Sequence, residues 1–275
     1  MAEITANMVR DLRERTSLGM MVCKKALVEA DGDMEKAVAI LRIKSGAKAE
    51  KAASRVAAEG VIGLFVAPDV KLAAMVELNC ETDFVARTDD FLAFARELAE
   101  KVARNNPVDI EALANLPADG GTVESKRQAL VQRLGEKMSV RRFHRIATNA
   151  KVGSYVHGGK IGVLVEFDGD DATGKDVAMH IAHGKPRFLT RNEVDPTVLE
   201  KEREILAARA KESGKPADIV ARMVDGGISK FLGEITLLGQ PFVKDDKQSV
   251  EKVLAARKSS VRAFRFFVVG EGIDK

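Results

Sequence analysis

Along the first forty residues, apolar side chains recur three and four positions apart, the spacing of one buried helix face. Thr5 can cap a first helix with Val9 and Leu12 on one side. The turn Thr16-Ser17-Leu18-Gly19 precedes a second helix from about Met20 to Ala30, ended by Asp31-Gly32. Asp33 caps a third, in which Met34, Ala37, Val38 and Leu41 share a face. So small a unit holds little core and is expected to lean on the rest of the chain. From Arg42 to Glu59 the composition shifts to Ala, Lys and Glu, which reads as a solvated helical linker. Two apolar runs, Val61–Val66 and Leu72–Leu78, then flank Pro68-Asp69 and predict an antiparallel hairpin. The second run hands over at Thr82, a natural N-cap, to a helical pattern through Phe91, Phe94, Ala95 and Leu98 that ends near Arg104. Asp83 and Phe84 thus fall at a tight strand-to-helix corner. A carboxylate presented beside an aromatic there suits a wedge for a partner, and the same spacing is satisfied by a Phe84 packed under its own loop.

Loops at Asn106-Pro107 and Pro117–Gly121 lead to an amphipathic helix predicted over Glu124–Met138, with Leu130, Val131 and Leu134 apolar. The hairpin-then-helix order then recurs. Gly153–Val156 and Ile161–Phe167 flank a turn at Gly158-Gly159, and a helix follows from Lys175 to His183. Two such units in one chain predict an internally duplicated core. Pro196 suits the first turn of a helix carrying alternating charges from Glu200 to Glu212. Gly214-Lys215-Pro216 breaks it, and a second helix holding Ile219, Val220, Met223 and Val224 is expected to stop at Gly226-Gly227. This reads as an antiparallel helical hairpin. A last strand is expected over Arg262–Val269.

Composition narrows the function classes. Net charge is +3 from 44 basic and 41 acidic residues, too balanced for a nucleic-acid binder with a dedicated basic face. Trp is absent and Tyr155 is the single Tyr, so stacking platforms for single strands are scarce. Two cysteines, Cys23 and Cys80, fit a reducing compartment better than a stapled fold. The N-terminus has no basic segment leading into an apolar one, and no apolar run approaches a membrane span, so a cytoplasmic protein is expected. Chemistry is sparse. His180 and His183 could share a helix face, yet no further ligand sits at metal-binding spacing. Cys80 lacks an elbow or oxyanion motif. His157-Gly158-Gly159-Lys160 lies between strands and lacks the phosphate-loop spacing. No active site and no cofactor are expected.

Several separately spaced motifs, in order, carry a resemblance. They are Leu12–Thr16 followed by Gly19–Leu27, Asn79–Ala86, Gly153–His157 with Ile161–Val165, Gly239–Val243, and Val269–Ile273. Together they resemble the elongation factor Ts family, the bacterial guanine-nucleotide exchange factors for elongation factor Tu, almost end to end. The resemblance implies an α+β fold. It comprises a ubiquitin-associated-like three-helix domain (1–45), a helical linker (46–59), a core N subdomain (60–150), a core C subdomain (151–195 and 233–275) with antiparallel sheets and helices, and a helical-hairpin insertion (196–232). It implies binding to elongation factor Tu in its GDP-bound and nucleotide-free states, with GDP released by disturbance of the magnesium and phosphate site. The expected contacts are Thr82, Asp83, Phe84 and Val85 at the corner, Arg13, Met20, Met21 and Lys24 on the three-helix domain, Leu134 and Gly135 near the wedge, and His157 and Val243 in the second half. No enzyme chemistry, direct nucleic-acid contact or membrane contact is implied, and self-association through the helical hairpin is compatible with it. Many relatives add a further C-terminal helix after the Gly-Glu-Gly-Ile segment, a contact this chain is expected to lack or replace. Two competing readings are an adaptor that recognises some other helix, and an enzyme using Cys80 with His157 or His180. Stimulated GDP release separates the first from an exchange factor, and thiol alkylation tests the second.

Overall fold

The computed structural model describes residues 4–16, 18–212, 214 and 216–274. Ser17 of the first turn, Lys215 of the hairpin break and Lys275 lie outside them. The fold is α+β and divides into two compact units. One contains the residues up to Phe65, Ala74–Arg145 and those from Phe267 on, and the other contains Val66–Ala73 and Ile146–Phe266.

The first unit opens with α1 (Ala6–Thr16), α2 (Met20–Glu29) and α3 (Met34–Ala52). Val9, Leu12, Leu18, Cys23, Ala26, Leu27, Ala37 and Leu41 form their shared buried core. Asp33 caps α3 by accepting the Lys36 N–H at 3.0 Å. The stretch after 45, expected to be a solvated helical linker, is helical as far as Ala52 as the second half of α3. It is only partly solvated: Ser45, Ala49 and Ala52 are buried, and α3 packs on the helix over Val123–Leu134. Small side chains every three to four residues let two helix backbones approach, so this alanine-rich stretch is an interface.

Next come β1 (Glu59–Val66), β2 (Leu72–Cys80), the single turn α4 (Asp83–Ala86), α5 (Asp89–Asn105), α6 (Ile110–Ala114), β3 (Pro117–Ala118), β4 (Gly121–Thr122), α7 (Val123–Leu134) and β5 (Met138–Ala147). β2 is central in a sheet ordered β1-β2-β5. The five-residue connection between β1 and β2 forces the antiparallel hairpin expected. α7 stops earlier than its apolar pattern suggests. Gly135, with φ +83°, caps it in the left-handed region, and Met138 belongs to the next strand.

β2 carries a buried Glu77. Its carboxylate takes Arg142 at 2.6 Å, Arg141 at 3.1 Å and the Gly270 N–H at 2.8 Å. Burial pushes this carboxyl up, but the Gly270 N–H and the two guanidiniums outweigh it and hold it below the usual carboxylate range. Arg142 also stacks over Phe267 at 4.4 Å.

The second unit contains β6 (Lys151–His157), β7 (Ile161–Asp168), α8 (Asp171–Gly184), α9 (Pro196–Lys211), α10 (Ala217–Ile235), β8 (Pro241–Phe242), β9 (Asp245–Ser249), α11 (Val250–Ala256) and all but the last two residues of β10 (Ser260–Val268). β6 and β7 pair antiparallel around a turn in which Gly158 and Gly159 both have positive φ. The sheet order is β10-β7-β6, and α8 packs across β6 and β7. α9 and α10 pack against each other. However, α10 runs straight through Gly226-Gly227, because the bare Gly227 lets Leu206 of α9 come close. Packing there overrides a composition that reads as a helix stop.

The two units share one detail. A side chain on Gly63 of β1 would overlap the Ala95 carbonyl of α5, and one on Gly153 of β6 would overlap the Gly174 carbonyl of α8. Both hairpins thus bring a helix backbone directly onto a bare position of their first strand. Among the described residues, no helix is long and apolar enough to cross a membrane.

Candidate partner-binding site

β2 is buried along nearly its whole length and delivers the chain into the corner without slack. The buried Cys80 thiol donates to the Thr82 carbonyl at 3.1 Å. Thr82 has extended backbone, and its hydroxyl accepts the Val85 N–H at 3.4 Å as an N-cap. Asp83 at the first helical position faces Arg87 one turn on, at 2.8 Å. Phe84 is 79% exposed, whereas Val85 and Ala86 beside it are buried. A ring of that size left in water on a single anchored turn is the reverse of the packed-under-its-loop arrangement. Val85, expected among the contact residues, is buried at the same corner.

Leu134 and Gly135 lie alongside. The link is the residue after them, Glu136. Its carboxylate accepts the Thr82 N–H at 2.9 Å, the Glu81 N–H at 3.2 Å and the Thr82 hydroxyl at 2.5 Å. The reverse bond is also made, since Glu81 accepts the Lys137 N–H at 2.6 Å. Arg55, just past α3, adds an ion pair to Glu81 at 3.1 Å and a bond to the Gly135 carbonyl at 3.4 Å. Glu81, Glu136 and Arg55 are not legible as site residues in the sequence because their partners lie 26 to 80 residues away. An acidic residue directly after a helix-ending glycine is the only local sign.

In the same unit, Arg13, Met20, Met21 and Lys24 are all exposed. Met20 and Met21 are followed by Val22, also exposed, at the start of α2. The small core takes Cys23, Ala26 and Leu27 from that helix, and the methionines have no room in it.

The second unit carries the other two expected residues. His157 is exposed at the end of β6, with the Tyr155 hydroxyl 3.2 Å from its Nδ1. Val243 is 38% exposed just after β8. Its N–H donates to Nδ1 of the buried His180 at 3.1 Å, and His180 Nε2 then donates to Gln240 at 2.9 Å. Burial pushes this imidazole below its ordinary value, outweighing the Gln240 bond, and nearby His183 adds to the effect. Both ring nitrogens are engaged, so His180 has none left for a metal shared with His183. Among the described residues, no group of three His, Cys, Asp or Glu is placed to hold a metal ion.

The family model described as elongation factor TS matches residues 81–271, starting at Glu81 on the corner itself. The chain belongs to the elongation factor Ts family. Elongation factor Ts of Bordetella petrii is 57% identical over 275 residues, covering all of this chain and 94% of that protein. Elongation factor Ts of Chromobacterium violaceum is 58% identical over 275 residues and is 95% covered. That of Burkholderia multivorans is 57% identical over 276 residues. The elongation factor Ts model spans the corner, the Glu136 turn, the β6-β7 hairpin and Val243. The three-helix start lies before it but within these full-length alignments.

Proposed function

We propose that this chain binds elongation factor Tu and accelerates release of its GDP, allowing GTP to take its place. In this reading the Asp83-Phe84 turn enters the partner's G domain beside the magnesium site and disturbs the magnesium and phosphate contacts. The exposed face of the three-helix start, with Arg13, Met20, Met21 and Lys24, supplies a second grip. Leu134 and Gly135 flank the wedge, and His157 and Val243 add contacts from the second unit. No bond is made or broken, so the chain acts as an exchange factor and not as an enzyme. No cofactor takes part, and its partner is a protein and neither nucleic acid nor membrane.

The observation that carries the proposal is Phe84, exposed on a capped turn whose neighbours are buried. An exchange factor works by preferring the nucleotide-free partner, and the coupling is reciprocal: it loosens GDP by the factor by which GDP loosens it. A roughly 10⁴-fold loosening needs about 5.5 kcal/mol of differential contact. The test is release of labelled GDP from elongation factor Tu on mixing with this chain. Release no faster than from elongation factor Tu alone would overturn the proposal.

A further inference from the structure

A wedge transmits force only if its base does not yield, and α4 is too short to be rigid by itself. Its four residues offer one turn of helical bonding, between the end of β2 and the start of α5. The Glu81 and Thr82 amides that precede it fall outside both elements, which leave them without a backbone partner of their own. Their partner is Glu136, more than fifty residues on.

We infer that Glu136 is the positioning residue of the wedge, holding the Thr82–Ala86 turn in the conformation that presents Phe84. This rests on the proposed function above. One carboxylate oxygen takes both amides, and the other takes the Thr82 hydroxyl proton. The second bond reaches further than its own length. A hydroxyl has one proton and two lone pairs, so once its proton is committed to Glu136 a lone pair faces the Val85 N–H. The carboxylate therefore fixes the cap through Thr82 as well as the chain before it. Charge-assisted bonds of this kind are the strong ones. Glu81 closes the clasp from the other side through the Lys137 N–H. Without Glu136, the turn keeps its buried Val85 and Ala86 but loses what orients it.

The experiment uses the full chain with elongation factor Tu carrying fluorescent GDP, and compares Glu136→Ala, Glu136→Gln, Phe84→Ala and the double variant Glu136→Ala/Phe84→Ala. Glu136→Ala should lower the maximal stimulated rate about tenfold, about 1.4 kcal/mol, with KM changed by less than about twofold. Glu136→Gln should recover most of the rate, because its amide oxygen can take both N–H groups while its NH₂ donates to the Thr82 hydroxyl. In the Phe84→Ala background, removing Glu136 should cost less than about twofold, since residues acting through one another are not additive. Hydrogen exchange should quicken at residues 81–87 and stay unchanged in β2 and α5. If Glu136→Ala does not fold, Thr82→Ala removes the relayed hydroxyl alone and should show the same sign and the same non-additivity with Phe84→Ala. A slow Phe84→Ala beside a Glu136→Ala at the parental rate, or with fully additive losses, overturns the clasp alone. Phe84→Ala at the parental rate overturns the wedge, and the clasp with it.

Discussion

Phe84→Ala separates a presented ring from a structural one. Burying a Phe side chain completely is worth about 1.5–3 kcal/mol. With 79% of the residue in water, most of that remains to be gained on contact. The ring is therefore worth about 2 kcal/mol to the complex, or roughly thirtyfold in rate. The loss should appear in kcat and in kcat/KM alike if the ring meets its site only as GDP leaves. Stability should hardly move, because a surface substitution that empties no core costs within about 0.5 kcal/mol. The melting temperature should then shift by less than about 2 °C. Stopped-flow release of fluorescent GDP, measured across a range of chain concentrations, gives both kinetic constants, and a thermal melt of the free chain gives the control. A melting temperature lowered by several degrees would mean the ring packs in solution. An unchanged release rate would mean it is exposed for some other purpose. Either result refutes the reasoning.

Replacing Met20 and Met21 together by Ala should weaken the complex mainly through faster dissociation, read by surface-immobilised binding, because flexible methionines on an exposed helix start act as adaptable contacts. Replacing residues 197–231 by a short Gly-Ser linker should leave GDP release intact while abolishing any self-association seen by light scattering; loss of exchange with a folded remainder would place the hairpin in the grip. Glu77 ionises more readily in the folded chain than at its ordinary 4.5, so its stabilisation is complete above about pH 4.5 and is lost as pH falls through the lower folded value. Urea unfolding followed between pH 6 and pH 3 should show this loss, and Glu77→Ala should cost about 3 kcal/mol at neutral pH by leaving Arg141 without its counter-charge and Arg142 with Glu271 alone.

The elements legible in the sequence are those whose partners are local. Helix α5 buries Phe91, Phe94, Ala95 and Leu98 on one face, and both hairpins announce themselves as apolar runs around turn residues. What stays hidden depends on distant residues. β5 reads poorly as a strand because Arg141 and Arg142 interrupt it, and those charges become tolerable only opposite Glu77, more than sixty positions earlier. Gly226-Gly227 reads as a stop until Leu206 is known to lie against it. The alanine-rich stretch after Ser45 looks solvated because alanine signals neither face, and only α7 shows which side is covered. The corner itself is half legible. The Thr82 cap can be read from spacing, whereas the exposure of Phe84, the burial of Val85 and the Glu136 clasp cannot.

The energies explain why such a clasp belongs beneath a wedge. Fixing the backbone of one residue costs about 1–2 kcal/mol, so a disordered stretch from Thr82 to Phe84 would forfeit at least the roughly 2 kcal/mol its ring can supply. A wedge on a loose loop would bind the partner and gain nothing from it. Ordering must therefore be completed during folding. The Thr82 cap, the burial of Val85 and the Glu136 carboxylate order the corner in the free chain. Even a rigid ring leaves more than half of the 5.5 kcal/mol unaccounted for, so the proposed function requires the second grip it assigns to Met20 and Met21 to change with the nucleotide state as well. Contact that is equal in both states shifts nothing, however tight. The exposed methionines should accordingly matter more to the nucleotide-free complex than to the GDP complex.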